Sequence, residues 1–125
     1  MKDKFRILVI GAGSAGVDLL HQLFKAEFIE LICVCDLDEN APGIKLAQEH
    51  GIPTGKDALE VLEKDTKIDI VMNVTGVKKV RESLRTFMLY SDNHYTVIMH
   101  ERISALMLSL SKGVLVPMKE EDNEY

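Results

Sequence analysis

Three glycines, Gly11, Gly13 and Gly16, stand in the run Gly-Ala-Gly-Ser-Ala-Gly, and Asp36 follows twenty residues after the last of them. These residue types at this spacing suit the binding of a pyrophosphate-bridged nucleotide. The first glycine permits a tight turn, the second lets the pyrophosphate come close to the backbone, and the third lets a helix pack tightly on its strand. A helix that opens at the turn aims unpaired N–H groups and the positive end of its dipole at the phosphates. A carboxylate about twenty residues on accepts hydrogen bonds from the ribose hydroxyls. It would repel a 2′-phosphate, and the run Cys-Asp-Leu-Asp-Glu-Asn brings no arginine to offset that. The expected cofactor is therefore NAD, in preference to NADP. The residues expected to touch it are Gly11, Ala12, Gly13, Ser14, Ala15 and Gly16 in the turn, with Asp36 and Leu37 after the second strand. Thr75 and Gly76, at the end of a later strand, complete the set. Glycine turns beside strands also serve flavins and S-adenosylmethionine, so the pattern points to the fold more narrowly than to the ligand.

Other reactive side chains have milder readings. Asn73 is a polar residue inside an apolar strand and must find hydrogen bonds. It is either a satisfied buried amide or a cofactor contact. Cys33 and Cys35 share one face of a strand because residues two apart point the same way. Core packing is the expected role, and a redox pair is the alternative. His21, His50, His94 and His100 include no pair at the i, i+4 spacing of a helical metal site, so no metal is expected. His100 alone falls at a strand end on the ligand edge, where it is a candidate general base or a helix-start residue.

These residues need a sheet with all its strands running one way. Apolar runs rich in β-branched residues predict strands at Phe5–Ile10, Glu30–Asp36, Asp69–Gly76 and Tyr95–His100, with a short one near Ile52–Thr54. Helical spacing follows each strand: Val17, Leu20, Leu23 and Phe24 in the first helix, a second from Pro42 to a stop at Gly51, a third capped by Asp57. Two more run through Lys78–Tyr90 and from Glu101 toward Gly113. Strand and helix alternate five times, which implies parallel strands joined by right-handed crossovers. The expected fold is a doubly wound α/β sheet of about five strands, in the order 3-2-1-4-5. Residues 1–116 form the domain, and 117–125 form an acidic flexible tail.

The chain has 125 residues, a formal charge of -5 and a pI near 5.3. An acidic balance argues against nonspecific binding to nucleic acid or anionic membrane. No apolar run is long enough to span a bilayer, and the expected location is cytoplasmic. Ile103, Leu106, Met107 and Leu110 make one apolar stripe, which predicts a homodimer through the C-terminal helix, the alternative being a tail folded back on its own sheet.

The stretches ILVIGAGSAG, VCDLD, APGIKLAQEHGIPTGKDALEVL and DIVMNVTG resemble the NAD-binding half of the glucose–fructose oxidoreductase and inositol dehydrogenase family. They are similar also to the nucleotide domains of homoserine and aspartate dehydrogenases. The resemblance covers roughly residues 5–100 and implies a Rossmann domain binding NAD. That family carries Glu-Lys-Pro after its fifth strand, with the lysine beside the nicotinamide. Here Glu101 stands in place, Arg102 replaces the lysine and Ile103 the proline. Arginine stays protonated and cannot shuttle a proton. The family's C-terminal substrate domain also has no counterpart in the residues that remain. The phrases PGIKLA, GIPT and VTG are shared too with small nucleotide-binding domains of bacterial regulatory proteins. The expected function is a regulatory or redox-sensing NAD(H) module with a possible signalling partner. The alternative is an oxidoreductase subunit whose active site is completed by a dimer mate or partner chain.

Overall fold

A computed structural model of the chain describes residues 3–117. Among these, the order is β1 (Phe5–Ile10), α1 (Ser14–Phe24), β2 (Ile29–Cys35), α2 (Pro42–Glu49), β3 (Thr54–Gly55), α3 (Ala58–Lys64), β4 (Ile70–Asn73), α4 (Lys78–Tyr90), β5 (Val97–Met99) and α5 (Glu101–Lys112). All the strand pairs are parallel, in the order β3-β2-β1-β4-β5. This is the doubly wound sheet expected from the sequence. Of the expected acidic tail, 118–125 lie outside the described residues.

The central strand shows why its residues are nearly all apolar. Ile7, Leu8 and Val9 are each 0% exposed, so both faces of β1 are covered. Ile7 and Val9 join Leu19 and Leu20 of α1, Ile44 of α2 and Leu108 of α5 in one core. Leu8 and Ile10 point the other way, into a second core with Leu62 of α3 and Leu84 of α4. Fully burying each of these aliphatic side chains stabilises the fold by about 1.5–3 kcal/mol.

Several boundaries fall short of the sequence reading, each for a local reason. The first helix ends at Phe24, where Lys25 N–H turns to the Gln22 carbonyl and Ala26 N–H to the Leu23 carbonyl. Leu19, which the periodicity missed, is fully buried. The fourth strand stops at Asn73 because its side chain Oδ1 accepts from Thr75 N–H at 3.1 Å and folds the chain into a turn. The fifth strand starts late, at Val97, because Asn93 Oδ1 takes the N–H groups of both Tyr95 and Thr96. The helix signals read correctly: Pro42 sits in the first turn of α2, Gly51 has φ 71°, and Asp57 accepts from Leu59 and Glu60 N–H at the start of α3.

Candidate functional site

Strand order reverses between β1 and β4, and the carboxyl ends of the strands open there onto a cleft of about 630 Å³. The glycine turn forms its floor. Gly11 N–H donates to Cys35 carbonyl at 2.9 Å, and Val74 N–H donates to Ile10 carbonyl at 2.8 Å. The turn is thereby clamped between the ends of β2 and β4.

The three glycines serve different needs. Gly11 has φ 106°, and a Cβ there would meet the backbone of Val74 and Thr75 at 3.1 Å. A Cβ on Gly16 would lie 2.1 Å from the Gly11 carbonyl oxygen, so this glycine seats α1 against the turn itself. Gly13 is unlike both: a Cβ there meets nothing within 4 Å. Its bareness leaves open room at the cleft, where a ligand's phosphates can approach the backbone. Gly13 is also the N-cap of α1, with no side-chain cap and no acid in the first turn. The first N–H groups of this helix are left to an anion.

Asp36 stands at the cleft rim after β2. Its Oδ2 accepts Ala12 N–H at 2.8 Å and its Oδ1 accepts Asp38 N–H at 2.9 Å. Two backbone donors hold the carboxylate in place, and each oxygen keeps a second lone pair for a hydroxyl. Gly11, Gly13, Ser14, Ala15, Gly16, Asp36, Leu37 and Thr75 all line the cleft. Leu37 is 82% exposed, which leaves an apolar platform at the rim.

Two residues of the expected set do not line the cleft. The Ala12 side chain is fully buried, and its carbonyl accepts Gly43 N–H at 2.7 Å, docking α2 on the turn. Gly76, with φ 66°, turns the chain toward α4 and is not among the cleft-lining residues. His100 is the N-cap of α5, where its Nδ1 accepts Arg102 N–H at 2.9 Å. The helix-start reading describes it, and it does not line the cleft. The Arg102 side chain is exposed.

Asn73 is fully buried and satisfied. Its Nδ2 donates to Glu101 Oε1 at 3.1 Å, and its Oδ1 accepts from both the N–H and the hydroxyl of Thr75. Glu101 and Arg81 face each other at 3.5 Å, 4% and 3% exposed. This buried chain of polar groups links α4 and α5 to the strand end that carries Thr75. The sequence reading did not find Arg81. It also missed Lys56 and Lys79, which bring positive charge to the cleft wall. All three follow from strand order, because the residues after β3 and β4 emerge on the same sheet edge as the glycine turn.

Cys33 and Cys35 are both buried, with sulfurs 3.7 Å apart, and Cys35 forms part of the cleft wall. Among the described residues, no cluster of three or more metal-ligating side chains occurs. No helix among them is long and apolar enough to cross a membrane.

No family model matches the chain. Its sequence is 35% identical over 77 residues to an acetaldehyde dehydrogenase of Chloroflexus aurantiacus, covering 61% of this chain and 25% of that enzyme. Acetaldehyde dehydrogenase 4 of Paraburkholderia xenovorans is 29% identical over 117 residues, covering 94% of this chain and 35% of that enzyme. The chain thus spans about a quarter to a third of the length of these relatives. Among solved structures, GenD2 from gentamicin A biosynthesis, crystallised with NAD, superposes with TM-score 0.63 at 20% identity over 90% of this chain and 33% of its own. A myo-inositol dehydrogenase of Corynebacterium glutamicum gives 0.57 at 17%, covering 88% and 33%. With the parallel order and the glycine turn already established, the chain has the Rossmann fold, and it matches about a third of each of these longer structures.

Proposed function

We propose that the cleft binds NAD or NADH and that the chain is the nucleotide-binding portion of an oxidoreductase. The observation that carries this is the joint placement of bare Gly13 and the anchored Asp36 carboxylate in one cleft at the sheet's switch point. The pyrophosphate is taken by the first turn of α1 and the ribose by Asp36, while Leu37 offers an apolar surface to the adenine. NAD supplies hydride transfer when bound; this chain's residues bind and orient it.

The sequence relatives are dehydrogenases, and GenD2 was crystallised with NAD. That favours the oxidoreductase reading over the regulatory module suggested by the sequence. His100 caps a helix and lies off the cleft, so it is not the proton-transfer group of this reading. Ile103, Leu106 and Leu110 of α5 are 47%, 52% and 74% exposed, which supports self-association through this helix.

Calorimetric titration with NAD, NADH, NADP and NADPH tests the reading. Binding of NAD or NADH in preference to the phosphorylated forms is expected. No heat with any of the four overturns it.

A further inference from the structure

The cleft wall contains one chemically reactive feature that nucleotide binding does not use. Cys33 and Cys35 point to the same side of β2, and their sulfurs lie 3.7 Å apart, within hydrogen-bonding distance for thiols. Both are nearly sealed, at 5% and 1% exposed, so a reagent has little access from the outer surface. Cys35, however, lines the cleft. Beside the pair lies Gly55 of β3, whose absent Cβ would sit 3.8 and 3.9 Å from the two sulfurs.

We propose that Cys33 and Cys35 are an oxidisable dithiol opening into the nucleotide cleft, taking small peroxides as substrates, and that nucleotide occupancy and disulfide formation exclude each other. This rests on the cleft being the nucleotide site. A thiolate is the reactive form. The hydrogen bond from Cys35 holds the Cys33 thiol below the ordinary range, against the opposing effect of burial. The same bond, with burial, pushes the Cys35 thiol up. One thiol of the pair gives up its proton, and the partner's S–H steadies the thiolate across 3.7 Å. The thiolate attacks one peroxide oxygen, forming an S–O bond and breaking O–O, and the departing oxygen takes up a proton to leave as water. The partner sulfur then attacks the oxidised sulfur. An S–S bond forms, S–O breaks, and the leaving hydroxide takes the partner thiol's proton as a second water. Both cysteines are oxidised and hydrogen peroxide is reduced.

Closing this bond has a structural consequence. A disulfide needs sulfurs at about 2.05 Å and Cβ atoms at about 3.5–4.5 Å, which an extended strand does not allow for residues two apart. The end of β2 must bend. The Cys35 carbonyl holds Gly11 N–H at 2.9 Å, and the next residue, Asp36, holds Ala12 N–H at 2.8 Å and is itself tied through its N–H to Gly55 at 3.0 Å. Bending β2 therefore displaces the pyrophosphate turn and the ribose acid together. By linkage, a nucleotide that holds these groups in place opposes oxidation to the same extent.

The test uses the full chain, hydrogen peroxide, and intact mass after alkylation of the remaining thiols. Without nucleotide, the main product is expected to lack two hydrogens, take up no alkyl groups and revert with dithiothreitol. With NAD at about ten times its Kd, the oxidation rate is expected to fall about tenfold, as the free fraction does. Oxidised protein, by calorimetry, is expected to bind NAD at least about tenfold more weakly, with recovery on reduction. Cys33→Ala and Cys35→Ala should each abolish the product. If either variant fails to fold, the wild-type mass and rates still decide. Sulfinic acid without disulfide, equal rates with and without bound NAD, or unchanged NAD affinity after oxidation each overturn the proposal. If the reduced protein does not bind NAD, the nucleotide reading falls and the gating with it. If it binds NAD but forms no disulfide, the dithiol alone falls.

Discussion

Gly13 and Gly16 separate binding from folding. A methyl group at Gly16 would collide with a backbone carbonyl at 2.1 Å, whereas at Gly13 it meets nothing within 4 Å. Gly16→Ala is expected to lower the melting temperature markedly, since neither backbone can yield without moving α1. Gly13→Ala should leave the melting temperature near the parent value and weaken NAD binding, because the new methyl stands where the phosphates approach. Thermal melts and titrations of the two variants check this; Gly13→Ala with full NAD affinity would place the pyrophosphate elsewhere. Asp36 carries a second prediction. Removing a charged hydrogen-bond acceptor costs about 1.5–3 kcal/mol, so Asp36→Ala should bind NAD roughly ten- to a hundredfold more weakly and narrow its preference over NADP. Asp36→Asn retains an acceptor for Ala12 N–H and separates the loss of charge from loosening of the turn.

Between elements, the polar groups do the joining. Glu101 opens α5 and accepts from Asn73 of β4 and Arg81 of α4, all three nearly inaccessible to water. Removing one partner of a buried ion pair leaves a charge without its counterion, at a cost of about 3–5 kcal/mol. Glu101→Gln should lower stability by that order in urea unfolding, and it should also loosen Thr75, which Asn73 holds. At the opposite end of the sheet, Arg6 of β1 grips Asp65 after α3 with two bonds of 2.9 and 2.8 Å. The hydrogen bonds from Arg6 hold the Asp65 carboxyl below the usual carboxylate range. A depressed folded-state pKa means that the stabilisation is complete above the unfolded pKa, near 3.9, and is lost as pH falls through the folded value. The pair is partly exposed, so its contribution is about 1 kcal/mol or less. Asp65→Asn should be less stable than the parent at neutral pH, and the difference should vanish as acid protonates the parent's carboxyl. A gap that persists at low pH would assign the effect to packing.

At the scale of the whole molecule, α5 presents an exposed apolar face. Leu108 faces the sheet, while Ile103, Leu106 and Leu110 face outward with Val114 and Leu115 beyond them. Sedimentation velocity is expected to show a concentration-dependent dimer, and Leu106→Lys with Leu110→Lys should shift it to monomer. A parent protein that stays monomeric at high concentration would rule out self-association through this face.

What was legible in the sequence were the features that local chemistry dictates. The five strand–helix repeats, the Pro42 start, the Asp57 cap and the glycine turn each depend on neighbours a few residues away. The strand order followed too, because right-handed crossovers leave few ways to arrange so regular an alternation. Tertiary structure decided whatever required contact across distance. The buried Asn73 amide is fully satisfied only because Glu101, far along the chain, accepts from its Nδ2. Ala12 turns inward because Gly43 arrives to bond its carbonyl. Lys56 and Lys79 reach the cleft only because parallel strands bring all their carboxyl ends to one edge. Cys33 and Cys35 share a face by strand periodicity alone, but the folded sheet decides that Cys35 lines the nucleotide cleft.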